Sequence, residues 1–394
     1  MSCRKSAMCS CESPLSARLR QLADAGLTRR RRRLDSPTAP RVLVEGQEML
    51  AFASNDYLGL ANHPDIVAAL ARGAREWGAG SGASHLVGGH LQPHATLEKR
   101  LAEFTGFARC LTFSTGYLAN LAVTPTLATG RDDAIFADRL NHASLIDAAQ
   151  LSRARQHRYP HGDMAALERL LAASAAKTKV IVSDAVFSMD GDLAPLAQLF
   201  QLAERFDAWL VIDDAHGFGV MGPKGRGSLA HCGIPPHPRV LLMATLGKAA
   251  GVGGAFVAGS EIAIEYLLQK ARGYVFTTAQ PPAIAVAVLK SLEIIAADEA
   301  RRAHLQALIQ QLRAGCAALP WRLLPSETAI QPLLLGENDK AIALMQGLWR
   351  RGLWVAAIRP PTVPPGTARL RISLSAAHSA ADVARLIDAL REMA

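Results

Sequence analysis

The sequence predicts an α/β protein: a mostly parallel sheet sandwiched by helices, followed by a smaller α+β C-terminal domain. Three observations predict it. Short apolar runs such as KVIVSD, AWLVID and VLLMAT alternate with amphipathic stretches such as ATLEKRLAEFTG and PLAQLFQLAERF, the pattern of strands buried on both faces and joined by helical crossovers. Past about residue 285 the texture changes to long helical stretches and short strand-like runs. The chain has 394 residues, half of them hydrophobic, enough for a large core and a smaller companion.

In chain order, residues 1–50 read as an N-terminal arm, 51–285 as the large domain and 286–394 as the small one. Residues 14–34 have helical spacing, and VLVEG with EMLAFAS reads as a hairpin. Residues 61–78 form a predicted helix with Pro64 in its first turn and Gly78 past its end. The run from PPAIAV to QQLRAG reads as one long helix, and ADVARLIDALREM as the last.

The formal net charge is +9, which favours anionic partners. The sharpest basic run, Arg29 to Arg33, reads as a solvated arm. A nucleic-acid binder using this run is the alternative from another class, but no aromatic residue is interleaved with it, and nucleic acid is not expected as a partner. No apolar stretch reaches membrane-spanning length, and the first residues lack the apolar core of an export signal. A cytoplasmic chain without membrane association is the expectation. Of six cysteines, Cys3, Cys9 and Cys11 crowd the start and Cys110, Cys232 and Cys316 are scattered; without a C-x-x-C pair they read as reduced thiols, mostly buried.

Ligands of open parallel sheets sit beyond the carboxyl ends of the strands. Polar residues follow the apolar runs there: Gly116 and Tyr117 after RCLTFST, His142 after AIFADRLN, Ser188 after KVIVSDAVF, Asp213 and His216 at the end of AWLVI, and Lys248 after VLLMATLG. Small residues flank that lysine in ATLGKAAG, as if a flat group had to lie against the backbone. This set suits pyridoxal 5'-phosphate. A lysine amine can form an imine with its aldehyde, and a carboxylate can keep its pyridine nitrogen protonated. Imidazole can stack on its ring. A helix opening at Gly116 offers backbone N–H groups to its phosphate.

The segments SNDYLGL, GSGAS, DRLNHASL, FSMDGD, DDAHGFGVMGPKGRG and TLGK resemble, in this order, the α-oxoamine synthases, pyridoxal-phosphate transferases of fold type I. The resemblance runs from about residue 14 to 394. It implies that Lys248 bonds the cofactor, Asp213 pairs with its ring nitrogen, His142 stacks on the ring and assists proton movements, and His216 with Ser188 reaches its phenolic oxygen. Gly116, Tyr117 and Thr245 fall around the phosphate and ring edge. Thr277 and Thr278 reach the phosphate of a second subunit, hence a homodimer with shared sites. Arg359 holds the amino-acid carboxylate, with Arg29, Asn55 and Thr362 on the substrate side. The stretches AIQPLLLG and AIRPPTVPPGTARLRISLSAAH resemble the branch that joins L-alanine to a pimeloyl thioester, carried by coenzyme A or acyl carrier protein; a glycine-using branch is the alternative. His85, where the family often has arginine, and Ala250, where it often has a bulky residue, are departures.

Other motifs fail. Gly217, Gly219 and Gly222 match the dinucleotide-binding spacing, but Pro223, Gly225 and Gly227 follow where a helix would have to begin. Asp214, beside Asp213, reads as structural. His90 and His94 have the spacing of paired helical ligands, yet without an acidic partner they read as structural or substrate-edge residues, and no metal is expected.

Overall fold

A computed structural model describes residues 13–24 and 27–394. Cys3, Cys9 and Cys11 lie outside the described residues. The first helix is Pro14–Asp24, shorter than the expected 14–34. The arginine run stays outside it: consecutive like charges would repel along a helix face. Arg30 and Arg32 instead pair with Glu45, Arg33 pairs with Asp35, and Arg32 lies over the Trp349 ring. Two carboxylates thus offset part of the charge of the five arginines.

The hairpin β1 (Arg41–Val44) and β2 (Gln47–Ala51) forms as expected, turning through Glu45 and Gly46 at positive φ. Seven strands then build the central sheet: β3 (Arg109–Phe113), β4 (Ala134–Asp138), β5 (Arg155–Tyr159), β6 (Lys179–Asp184), β7 (Trp209–Asp213), β8 (Val240–Thr245) and β9 (Ala255–Gly259). Their order is β3-β9-β8-β7-β6-β4-β5. The pairs from β8 through β7, β6 and β4 to β5 are parallel, while β9 runs antiparallel between β3 and β8. β4, β7 and β8 are buried almost throughout, as a sheet covered on both faces requires.

A second sheet, β10 (Arg322–Leu323), β11 (Ile330–Gly336), β13 (Ala356–Ile358) and β14 (Ala368–Ser373), is antiparallel. Between its strands, β12 (Leu353–Trp354) leaves to pair parallel with β2. The N-terminal hairpin is thus one sheet with a strand from the C-terminal part of the chain. The expected division at 285 falls inside the helix Pro282–Ala297.

The long helix expected there is two, Pro282–Ala297 and Glu299–Cys316. Asp298 leaves helical geometry at φ −95° and ψ 74°, and its carboxylate accepts from the Arg301 amide at 2.9 Å. An aspartate at this position caps the second helix.

The glycine-rich segment after β7 wraps Asp214. This carboxylate accepts from the Ser228 amide (2.7 Å) and hydroxyl (2.5 Å). Added Cβ atoms at Gly217 and Gly227 would meet Asp214 oxygens at 2.2 Å, so glycine is required for the close approach. Burial pushes Asp214 up to about 7. Ser228→Ala removes one donor from a fully buried acid and should cost about 1.5–3 kcal/mol, read as a lower Tm with unchanged cofactor content; an unchanged Tm would refute the structural role.

Candidate active site

The floor of the site is made by two neighbouring strand ends. Asp184 closes β6 and Asp213 closes β7, and the two are in register. Asp213 is 3% exposed. It accepts from Asn120 Nδ2 (2.7 Å) and from the Ala215 amide (3.0 Å). Asn120 also donates to Ser144 Oγ at 2.8 Å, so the helix Gly116–Leu127 fixes the carboxylate. Asp184 accepts from the His142 amide at 2.6 Å. Burial, then the Asp213 carboxylate, pushes Asp184 well above the ordinary carboxylate range. His142 caps the helix Ala143–Leu151, its ring accepting from the Ser144 amide, and its edge faces Tyr117.

Lys248 lies three residues beyond β8. Its loop is held by Leu246 N–H to the Gly254 carbonyl (2.8 Å), Val252 N–H to the Leu246 carbonyl (3.0 Å) and Gly251 N–H to the Lys248 carbonyl (2.8 Å). The small residues around it also pack the loop. Gly251 has φ +69°, and a Cβ there would meet the backbone of Leu60 and Ala61 at 2.5 Å. Ala249 and Ala250 are buried, and the Ala250 carbonyl accepts from Ser291 Oγ at 2.7 Å. These residues let the loop pack against SNDYLGL, while a Cβ at Gly247 would come no closer than 3.8 Å to its neighbours.

The Lys248 Nζ is 2.7 Å from His216 Nε2, and His216 Nδ1 is 2.6 Å from the Tyr57 hydroxyl. Tyr57 donates to Asn55 Oδ1 at 3.2 Å. Burial first, then the Lys248 charge, holds His216 well below its ordinary value. A neutral ring then accepts from the lysine at Nε2 and donates to Tyr57 from Nδ1. Burial lowers Lys248 to about 8, against the pull of Asp213 and Asp184. Arg371, from β14, enters from the second sheet. Its Nε donates to the Ser188 carbonyl (2.6 Å), and its Nη1 to Asn55 Oδ1 (3.1 Å) and Ser373 Oγ (2.7 Å).

Lys248, Asp213, His216, His142, Gly116, Tyr117 and Thr245 line one cavity of about 180 Å³, together with Asp184, Ser144, Ala215 and Met243. Ser188 and Asn55 stand beside it, joined by Arg371. Arg29 and Thr362 are exposed, and neither they nor Arg359, Thr277 and Thr278 line the cavity. Thr278 bridges Ser84 on another face. The sequence reading missed Asp184, Asn120, Tyr57 and Arg371. Asp184 had a signal, an acid ending the run KVIVSD beside Asp213's strand; Arg371 had a weaker one, a cation inside the strand-like RLRISLS.

The donor set fits pyridoxal phosphate. A buried carboxylate, a nucleophilic amine and a helix N-terminus surround one cavity. The first N–H groups of that helix lack intrahelical partners, and Thr115 takes only the one at Leu118.

The chain belongs to the aminotransferase class I and II family, which it matches over residues 47–390. It is 68% identical over 386 residues to the 8-amino-7-oxononanoate synthase of Dechloromonas aromatica, covering 97% of this chain and 100% of that one. The enzyme of the same name from Herminiimonas arsenicoxydans is 61% identical, covering 96% and 98%. Among solved structures, a Sphingomonas wittichii serine palmitoyltransferase superposes with TM-score 0.90 at 31% identity over 98% of each chain. The S. paucimobilis serine palmitoyltransferase, solved with bound PLP and myriocin, superposes with TM-score 0.90 at 28% identity over 98% of each chain. An 8-amino-7-oxononanoate synthase from Francisella tularensis gives TM-score 0.76 at 31% identity, covering 88% of this chain and 97% of that one.

Proposed function

We propose that this α-oxoamine synthase is a pyridoxal-phosphate-dependent acyltransferase that condenses L-alanine with a pimeloyl thioester, releasing carbon dioxide, the free thiol carrier and 8-amino-7-oxononanoate for biotin synthesis. The observation that carries the chemistry is the cavity in which Lys248, of lowered pKa, faces the buried Asp213. The near-complete identity span with the D. aromatica enzyme supports the substrates.

Lys248 would hold the cofactor aldehyde, Asp213 its ring nitrogen, and the amides at Gly116 and Tyr117 its phosphate. When bound, the cofactor supplies an electron sink for negative charge at the amino-acid α-carbon. The residues of the chain do the rest. The Lys248 amine would take the α-proton of alanine, because burial leaves a substantial neutral fraction near pH 8. His216 and Tyr57 form a hydrogen-bonded chain behind that amine, which fixes its direction and can share its proton. Asp213 is kept in place by Asn120 and the Ala215 amide rather than by solvent. His142 stands at the opposite wall, positioned by its backbone bond to Asp184.

Arg371 and Asn55 would take the alanine carboxylate. Arg371 is 7% exposed, yet among the described residues its hydrogen bonds go to the neutral groups of Ser188, Asn55, Tyr57 and Ser373, so an anion is the partner that completes it. Arg371→Lys should raise KM for alanine by roughly 10–100-fold, since charge alone does not replace the planar fork. If Arg359→Lys shows that increase and Arg371→Lys does not, Arg359 is the carboxylate ligand.

The positive balance suits an anionic acyl carrier, coenzyme A or acyl carrier protein. A homodimer is supported by exposed Leu86, Val87 and Phe276, which border the Ser84–Thr278 bridge and would bring Thr277 and Thr278 to a partner's phosphate. The deciding experiment supplies alanine or glycine with pimeloyl-CoA or pimeloyl-acyl carrier protein and identifies the product by mass. A product from glycine alone, such as 2-amino-3-ketobutyrate or 5-aminolevulinate with the matching thioester, would replace this reading.

A further inference from the structure

Three histidines converge away from the cavity. His85 opens the turn His85–Val87, His90 precedes the helix Gln92–Thr105, and His94 lies in its first turn. One ligand atom from each lies within 4.8 Å of the other two. The ring centroids are 5.1, 5.3 and 5.9 Å apart. The Nδ1 atoms of His85 and His90 are 2.8 Å apart, sharing one hydrogen. The His85 ring also lies flat on Tyr274, centroids 4.9 Å apart at 8°.

Packing alone does not account for this. Among the described residues one hydrogen bond, between His85 and His90, joins the three rings, and His94 turns both its nitrogens to the backbone instead. His94 is oriented from both sides: Nε2–H donates to the Gln280 carbonyl at 2.8 Å, and Nδ1 accepts from the Leu91 amide at 3.0 Å. An N–H given to a backbone carbonyl is the second contact of a metal-ligating histidine, and exchange of the Leu91 amide bond would leave Nδ1 for the metal. His90 is exposed, so solvent can reach the cluster.

We propose that His85, His90 and His94 form a binding site for a late first-row divalent cation of the zinc class, with water as the remaining ligand. Three imidazoles with an open position suit Zn²⁺, and nitrogen donors select such ions over Mg²⁺ and Ca²⁺. Binding exchanges the His85–His90 hydrogen bond and the Leu91 amide contact for metal–nitrogen bonds. The ion ties residues 85–90 to the helix Gln92–Thr105. Its influence continues through Gln280, whose Nε2 donates to the Ser114 carbonyl at 3.2 Å, next to the helix that opens at Gly116.

The test is calorimetric titration of the holoenzyme with ZnCl₂, alongside thermal melts. One equivalent is expected to bind and to raise Tm. His85→Ala and His90→Ala should each weaken binding by at least about tenfold and abolish the zinc-induced rise in Tm, each judged against its own zinc-free Tm, with cofactor content unchanged. His94 is also a helix-cap residue, so it is not the deciding variant. A triple Cys3→Ser, Cys9→Ser, Cys11→Ser protein should bind as wild type. No zinc binding, or binding that survives in both histidine variants, overturns the proposal, as does loss confined to the cysteine variant. Neither result bears on the acyltransfer reaction, which is read separately.

Discussion

Lys248→Ala is expected to lower turnover by at least about 10⁴-fold, the upper range for a positioned proton acceptor, and to leave the fold intact. The side chain emerges from a loop fastened by its own backbone bonds, so its removal leaves Ala249, Ala250 and Gly251 packed as before. Two readouts separate chemistry from collapse. Borohydride should fix the cofactor covalently on the peptide containing Lys248 in the wild type and not in the variant. Melting of the two proteins without cofactor should be similar. Turnover within tenfold of wild type would end the assignment.

The same residue carries a pH dependence. Free lysine titrates at 10.5, and burial brings Lys248 to about 8. Only the neutral amine attacks an aldehyde. Capture of cofactor by the cofactor-free protein should therefore accelerate as pH rises through about 8 and then level off; a profile still climbing to the free-lysine value would contradict the burial argument. The folded chain also binds fewer protons at this site than the unfolded chain between those values, so this group's contribution to stability rises with pH across that window.

Asp213→Asn is the second large effect. Asparagine keeps the shape and can still accept from the Ala215 amide, but it loses the negative charge. A charge aimed at a site where the reaction develops opposite charge is worth about 10²–10³-fold in rate when removed, and a fall of at least 10²-fold in kcat is expected, with cofactor still bound. Asn120→Ala supplies the comparison. It removes one hydrogen bond to Asp213 while keeping the carboxylate, so it should cost less. If Asn120→Ala proved as damaging as Asp213→Asn, positioning rather than charge would dominate at this residue.

The site was legible in the sequence where it depends on strand ends. An apolar run followed by a polar residue is a local pattern, and Lys248, Asp213 and His142 each stand at one. His216, three residues past β7, is read the same way. What escaped depends on distance along the chain. Arg371 reaches Asn55 from a sheet formed 316 positions later, and no local periodicity announces that meeting. Tyr57, fully buried, reads as a core aromatic in SNDYLGL until His216 is seen beside its hydroxyl. The fold was legible for the same reason, since alternating runs and helices are local. Its errors are local too: the arginine repulsion that excludes residues 29–33 from the first helix, and the capping aspartate that breaks the expected long helix at Asp298. The histidine cluster shows both limits. His90 and His94 were visible as a pair, while His85 joins them through a turn.

The ladder between β2 and β12 carries a consequence for how the chain is made. Its first two strands leave the ribosome early, and the strand that completes the three-stranded sheet is among the last to emerge. Until then the β2 edge has no native neighbour, and a long closure must be made before that edge is protected. The hairpin is therefore the segment most open to wrong pairing during synthesis, and translation stalled before Leu353 should leave it sensitive to protease.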